Sequence, residues 1–266
     1  MTPNKSTLEK RHPPARLAAL LLIVFGPLVW LLVGHGRPIL QDPGYHLFAD
    51  TRGCLGINHF GDVASNLAFL VVGIAGWLAA RQTGGARRSW QAFFAGVALV
   101  FPGSVWYHLS PSDATLLWDR LPMTVAFMGL FAALLSEHLH ARLEIPVLIA
   151  AVFAGIASAL WWQSSGDLRI YIWVQGAPLL AIPYLIAAFP ARYSHRLWLL
   201  WGVGLYLLAK LAEARDHEIF ALTGMMLSGH TLKHLLAAAA AYCVVIMLKK
   251  RMLNQRQSLT PVASSQ

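Results

Sequence analysis

Five polar residues stand at spacings that could support metal chemistry. Ser104 and His108 are four residues apart, as are His230 and His234, so each pair lies on one face of a helix. Asp119 lies between the two pairs in the sequence. Three imidazoles, a carboxylate and a hydroxyl are the groups of an open zinc site, in which three protein ligands leave a position for an activated water. The pattern therefore predicts a zinc site.

The chain that must position these residues is strongly apolar. Of its 266 residues, 57% are hydrophobic and only 12% are charged, and its mean hydropathy is +0.54. This apolar content exceeds what one soluble core needs and predicts an all-α, multi-pass membrane protein. The net charge of +9 is spread over short loops and tails. A nucleic-acid-binding patch is therefore not expected.

Apolar runs long enough to cross a bilayer as helices occur eight times. They lie near 17–34, 63–80, 90–108, 119–138, 145–163, 170–189, 195–212 and 225–248. The first run follows several basic residues, as a signal peptide would. It is long, contains Pro27 and lacks a small-x-small cleavage site, so we expect an uncleaved helix.

The distribution of Lys and Arg predicts the orientation of these spans. If the N-terminus is cytoplasmic, the inner segments contain Lys5, Lys10, Arg11, Arg16, Arg81, Arg87, Arg88, Arg142, Arg192, Arg196, Lys249, Lys250, Arg251 and Arg256. The outer loops contain only Arg37, Arg52, Arg169 and Arg215. Both termini are thus predicted to be cytoplasmic. The third span then ends outside, and the fourth and eighth begin there, which brings all five candidate site residues to one outer layer.

Several other polar residues near this layer have two interpretations. Asp62, Ser65 and Asn66 either cap the second span and bond between helices, or belong to the site. For the other residues the ordinary interpretation is favoured. It places Asp50, Arg52, Asn58 and His59 in a solvated loop instead of a second cation or head-group site. It treats Glu213, Arg215, Asp216, His217 and Glu218 as a solvated charge cluster instead of residues that order the entrance of the last span. For Lys233 it favours snorkelling to the outer interface over contact with a substrate carboxylate or phosphate. Arg120 could pair with Asp119 or with a lipid head group.

The tryptophans fall toward predicted span ends, as in an aromatic belt. Trp106 and Trp118 stand beside the predicted ligands and could also line a lipid chain. Cys54 and Cys243 differ too much in predicted depth to form a disulfide.

These motifs together resemble the alkaline ceramidase family and the superfamily that it shares with the progestin and adipoQ receptors. The family has Ser-x-x-x-His on one helix, Asp at the start of the next and His-x-x-x-His on the last. These correspond to Ser104 with His108, to Asp119, and to His230 with His234. The Ser65-Asn66 pair also resembles the start of the family's first core helix.

The resemblance covers about residues 50 to 245 and implies a seven-helix core with one extra N-terminal span. We therefore expect residues 1–49 to form a tail, the extra helix and a loop, residues 50–248 to form a ceramidase-like membrane domain, and residues 249–266 to form a disordered polar tail. The chain would be a bacterial-type member in the inner (plasma) membrane, with its site toward the periplasmic face.

The resemblance also implies roles for the site residues. His108, His230 and His234 would bind zinc, Asp119 would be the general base and later acid, and Ser104 would stabilise the oxyanion. The implied reaction is hydrolysis of the amide of ceramide, or of a related N-acyl lipid taken from the bilayer, to a fatty acid and an amine. The stretch before the first core helix lacks the family's clustered glutamates, so calcium is not expected. Arg120 stands where the family has an acidic residue after the catalytic aspartate. The resemblance therefore does not indicate which head group the substrate carries.

Other functional classes remain open at this stage. One is a receptor-like binding protein with a structural zinc, and another is a hydrolase of lipid esters. A transporter would require discontinuous helices and carboxylates near the membrane midplane, and neither pattern is evident. The acyl chain length and the oligomeric state are not specified by the sequence.

Overall fold

The computed structural model describes residues 13–190 and 192–252. In this part of the chain the structure consists of helices and connecting loops, without a β-strand. The α-helices are α1 (Pro14–Val29), α2 (Phe60–Ser65), α3 (Leu67–Arg81), α4 (Arg87–Leu109), α5 (Asp113–His138), α6 (Glu144–Ser165), α7 (Arg169–Ala188), α8 (Trp198–Ala214), α9 (Asp216–Leu222) and α10 (Gly229–Lys250). The predicted polar tail, 249–266, lies almost entirely outside the described residues.

Within residues 13–190 and 192–252, seven helical segments are long and apolar enough to cross a membrane, which makes the chain an integral membrane protein. They are Pro14–Gly34, Phe60–Arg81, Arg87–Leu109, Asp113–His138, Ala141–Ser165, Arg169–Ala188 and Gly229–Lys250. The predicted span 195–212 is present as α8, but α8 has only 17 residues. A helix of that length rises about 25 Å, which is less than the hydrocarbon thickness of about 30 Å. The count of eight spans therefore stays a prediction.

The helices that carry the predicted site begin at well-defined caps. Ser112 and Thr115 form a capping box that starts α5, and the Ser228 side chain accepts from the Thr231 amide at the start of α10. These caps place Asp119 within the first two turns of α5 and His230 in the first turn of α10. We call the end of the bundle where α4 ends and α5 and α10 begin the site end.

Close packing of α4 against α5 depends on a glycine at the site end. A Cβ atom at Gly103 would overlap the carbonyl oxygen of Trp118 on α5. Small residues of this kind let helix backbones approach closely in membrane proteins. The approach holds Ser104 and His108 of α4 beside Asp119 of α5.

The bundle encloses a cavity of about 600 Å³. Residues of α3, α4, α5, α7, α8 and α10 line it, and most of them are apolar. Helix α1 lies outside this group and packs on α7, where the Trp173 indole donates to the carbonyl of Val24 at 2.7 Å. The first helix is thus peripheral to the cavity.

Candidate metal centre

The structure brings the three predicted histidines together at the site end. His108 is in the last turn of α4, and His230 and His234 are in the first two turns of α10. One ring nitrogen of each lies within 4.8 Å of the others, and their side chains are fully or almost fully buried. This group could hold a metal ion, and its donor set suits zinc.

His108 provides the clearest sign that a ligand belongs here. It is 0% exposed, and neither of its ring nitrogens has a hydrogen-bond partner among the described residues. Leaving buried polar atoms unpaired costs free energy, and native structures rarely do so without a reason. A metal ion among the three imidazoles would give one of these two nitrogens a partner, so the residues present fit the zinc that the motifs predict.

His234 is oriented by a serine on a neighbouring helix. Ser65 donates its hydroxyl hydrogen to the carbonyl of Asp62 at 3.0 Å, so at the 2.8 Å contact with His234 the Nδ1–H is the donor. That tautomer leaves Nε2 with a free lone pair, as a metal ligand requires. Asp62 also bonds between helices, because its Oδ1 accepts from Ser228 and Thr231. The interhelical interpretation of Asp62 and Ser65 is therefore correct, and Ser65 also contacts the metal-binding group. The expected cap is wrong, because among the described residues no side chain caps α2 or α3.

Lys233 was predicted to reach the outer interface, and this is wrong. Its side chain is only 15% exposed and pairs with Glu213 at 2.9 Å. Glu213 also accepts from Tyr45 at 3.1 Å. Burial, followed by the charge of Glu213, raises the pKa of Tyr45 well above its ordinary value, so its hydroxyl remains a donor. The Nζ of Lys233 also lies 3.1 Å from Nε2 of His230. If a metal bound through that nitrogen, Lys233 would keep only its ion pair with Glu213.

Asp119 and Ser104 adjoin the histidines. Both side chains are buried and both line the cavity, as His234 does. Ser104 is near enough to interact with the Asp119 carboxylate, although its Oγ makes no hydrogen bond of normal geometry within the described chain. The Asp119 carboxylate and the Ser104 hydroxyl thus line the same cavity as one member of the metal-binding group, His234.

Phe48 covers the histidines and was not recognised from the sequence. Its ring centroid is 4.7 Å from those of both His108 and His230. Asp216 holds this segment in place, because it accepts from the backbone N–H of Ala49 at 2.9 Å and of His230 at 2.7 Å. The only signal in the sequence is an isolated aromatic residue in a turn-rich loop.

The expected solvated groups divide into two kinds. Glu213 and Asp216 are engaged at the site, so the solvated interpretation is wrong for them, whereas the Arg215–Glu218 pair is exposed.

Asp50, expected in a solvated loop, is 2% exposed and pairs with Arg52 at 2.7 Å. Arg52 holds the pKa of Asp50 below its ordinary value. The pair therefore stabilises the fold at neutral pH, and this contribution is lost as the pH falls through the lowered pKa.

Below the metal-binding group the cavity is a long apolar space. On α10 its lining runs from His234 to Val244, ten residues that rise about 15 Å. A lipid chain could occupy this space. Trp106 and Trp118, which could have lined such a chain, instead stack on each other and remain about half exposed outside the cavity.

No protein-family model matches the chain, and no curated protein matches it.

Proposed function

We propose that this protein is a zinc-dependent membrane hydrolase that cleaves the amide bond of ceramide or of a related N-acyl lipid. The observation that carries the proposal is the buried His108, which has no hydrogen-bond partner among the described residues and belongs to a group of three histidines. His234 of this group lines an apolar cavity that Asp119 also lines. A site of this composition combines a place for a metal, a carboxylate for proton transfer and space for a lipid chain. A purely structural zinc would not require a carboxylate at the cavity wall.

His108, His230 and His234 would hold the zinc, which would polarise the amide carbonyl and lower the pKa of a water to about 7. Asp119 accepts a proton as the water oxygen forms a bond to the acyl carbon. It returns that proton to the nitrogen as the C–N bond breaks, which releases a fatty acid and an amine. Ser104 donates to the oxygen that becomes negative during attack.

The cavity positions the substrate for this reaction. Its apolar wall from His234 to Val244 accommodates the acyl chain and keeps water away from it. The same groups would also attack a lipid ester, so esters belong among the substrates to be tested. We further propose that the protein lies in a bacterial inner membrane with its site end outward, because the basic loops lie at the opposite end.

The test is to incubate the purified protein with N-acyl lipids and matched esters, with and without a chelator, and to measure fatty acid release and bound zinc. We expect amide hydrolysis that the chelator abolishes. His230→Ala should lose most bound zinc, whereas His138→Ala, a histidine at the far end of α5 that contacts its own helix, should keep it. Asp119→Asn should retain zinc and lose about 10²- to 10⁴-fold in turnover.

Three results would each reject part of the proposal. Full zinc content in His230→Ala would refute the ligand set. Unchanged turnover in Asp119→Asn would assign proton transfer to another group. Zinc binding without hydrolysis of any amide or ester would favour the receptor-like alternative.

A further inference from the structure

Arg120 is a buried cation whose hydrogen-bonding groups are mostly unused. Its side chain lines the cavity beside Asp119, and the residue is 5% exposed. Its Nη2 donates to Gln41 at 2.6 Å, but Nη1 has no hydrogen-bond partner in the described part of the chain. A guanidinium carries five N–H donors, and leaving a buried charge without a counter-charge is costly. Asp119 lies near enough for its charge to interact with Arg120, but it makes no direct ion pair with the guanidinium, so the head-group alternative stays open.

The surroundings hold the guanidinium in place without neutralising it. Its central carbon lies 3.9 Å from the ring centre of Trp162 and 4.8 Å from that of Tyr171. Cation–π contacts of this kind fix the plane of the group but provide no acceptor for the N–H donors at its edge. Arg120 is thus preorganised toward the cavity.

Two other arginines with little exposure have a carboxylate partner. Arg169 pairs with Asp167 at 2.7 Å, and Arg251 pairs with Glu137 at 2.9 Å. Among the described residues no such carboxylate pairs with Arg120. Arg120 therefore keeps N–H donors available for an anion in the cavity that it lines.

We propose that Arg120 binds an anionic group on the amine portion of the substrate, and that the substrates are N-acyl amino acids. This inference rests on the proposed hydrolase function. Arg120 adjoins Asp119, which would protonate the leaving nitrogen, whereas the cavity toward Val244 is apolar and suits the acyl chain. A carboxylate next to the amide nitrogen would therefore meet the guanidinium, whose planar edge matches carboxylate geometry.

The reaction on such a substrate is a simple hydrolysis. The oxygen of water bonds to the acyl carbon, the amide C–N bond breaks, and the proton passes through Asp119 to the nitrogen. The products are a fatty acid and a free amino acid. Because the carboxylate takes no part in bond breaking, Arg120 acts as a specificity-determining residue.

The test compares three lipids with one acyl chain: N-acyl glycine, N-acyl ethanolamine and N-acyl ethanolamine phosphate. N-acyl glycine carries a carboxylate where N-acyl ethanolamine carries a hydroxymethyl group. The third lipid carries a phosphate on that hydroxymethyl group. We expect kcat/KM of zinc-loaded protein to be about 10- to 100-fold higher for N-acyl glycine than for the ethanolamide, the range expected for one charge-assisted hydrogen bond. A higher value for the phosphate would overturn the carboxylate assignment.

Arg120→Met should remove this preference by lowering kcat/KM for N-acyl glycine while changing that for the ethanolamide less than about threefold. Lys210→Met is the matched control, because it removes a half-exposed positive charge from the same cavity and should leave the preference unchanged. Arg120→Lys keeps the charge but not the planar fork, so an intermediate preference is expected. Thermal unfolding of each variant shows whether it is folded.

Binding to the chelator-treated protein separates this inference from the proposed reaction. Titration calorimetry should show that wild type binds N-acyl glycine about 10- to 100-fold more tightly than the ethanolamide, and that Arg120→Met does not. Tighter binding without turnover would support the anion site and reject the hydrolase. Turnover with equal use of both lipids, or binding of neither, would overturn the role of Arg120.

Discussion

Ser65 shows how a single hydroxyl can prepare a histidine for a metal. Its hydrogen is committed to the Asp62 carbonyl, so it can only accept from His234. The ring is thereby held in one tautomer and one orientation before any ion arrives. Ser65 therefore acts on the metal through His234, as a positioning residue.

We expect Ser65→Ala to lower zinc affinity about 10- to 100-fold, the usual cost of removing such a supporting hydrogen bond. The measurement is competitive zinc titration of purified protein. Ser158→Ala is the control, because that buried serine donates only to Gly155 of its own helix. Equal zinc affinity in Ser65→Ala and wild type would show that Ser65 does not orient His234 and that the contact of His234 with the Asp62 backbone, or its packing, does so.

At the scale of residues, the sequence predicted the site residues whose chemistry is distinctive. It missed the residues whose role depends on contacts that form only in the folded protein. Three histidines at helical spacing on predicted span ends were expected to meet, and they do. The partnership of Lys233 with Glu213 joins residues twenty positions apart and depends on how α8 approaches α10. No sequence motif marks Phe48, because its role of packing over the histidines requires only a large apolar side chain.

At the scale of helices, the site depends on how closely α4 and α5 approach. Apolar runs predicted both helices, but a run does not specify the distance between two helices. That distance is set where Gly103 meets the backbone of Trp118. Likewise, the sequence predicted the span 195–212 without showing that its helix stops at 17 residues.

Gly103→Ala should separate α4 from α5 and so move His108 and Ser104 away from Asp119. We expect a loss of roughly 1–3 kcal/mol in stability from overpacking and a fall in turnover of tenfold or more, since displacements of about 1 Å can cost 10²-fold. Gly204→Ala is the control, because a Cβ at Gly204 meets nothing within 4 Å. Thermal unfolding in detergent and fatty acid release measure the two effects. Wild-type values for both in Gly103→Ala would show that the interface can adjust without moving the site.

Over the whole molecule, the basic residues of the loops are concentrated at the end opposite the site. Those at the opposite end are Arg16, Arg81, Arg87, Arg88, Arg142, Arg192, Arg196, Lys249, Lys250 and Arg251, whereas the described loops at the site end contain Arg37, Arg52 and Arg215. The three histidines, Asp119 and the loop that carries Phe48 lie at the site end. The positive-inside rule then predicts that the site faces outward, and the proposed substrate would enter from the outer leaflet.

The two cysteines allow this orientation to be tested in the full-length chain. Cys54 is exposed in the loop at the site end, whereas Cys243 is buried in α10. In spheroplasts of a bacterial host, a membrane-impermeant maleimide should therefore label Cys54 from outside. Cys54→Ser combined with Gln82→Cys moves the reactive thiol to the loop between α3 and α4 at the opposite end, and this variant should react only after the membrane is permeabilised. Labelling of the Gln82→Cys variant in intact spheroplasts, with Cys54 protected in the wild type, would invert the topology and place the site on the cytoplasmic side.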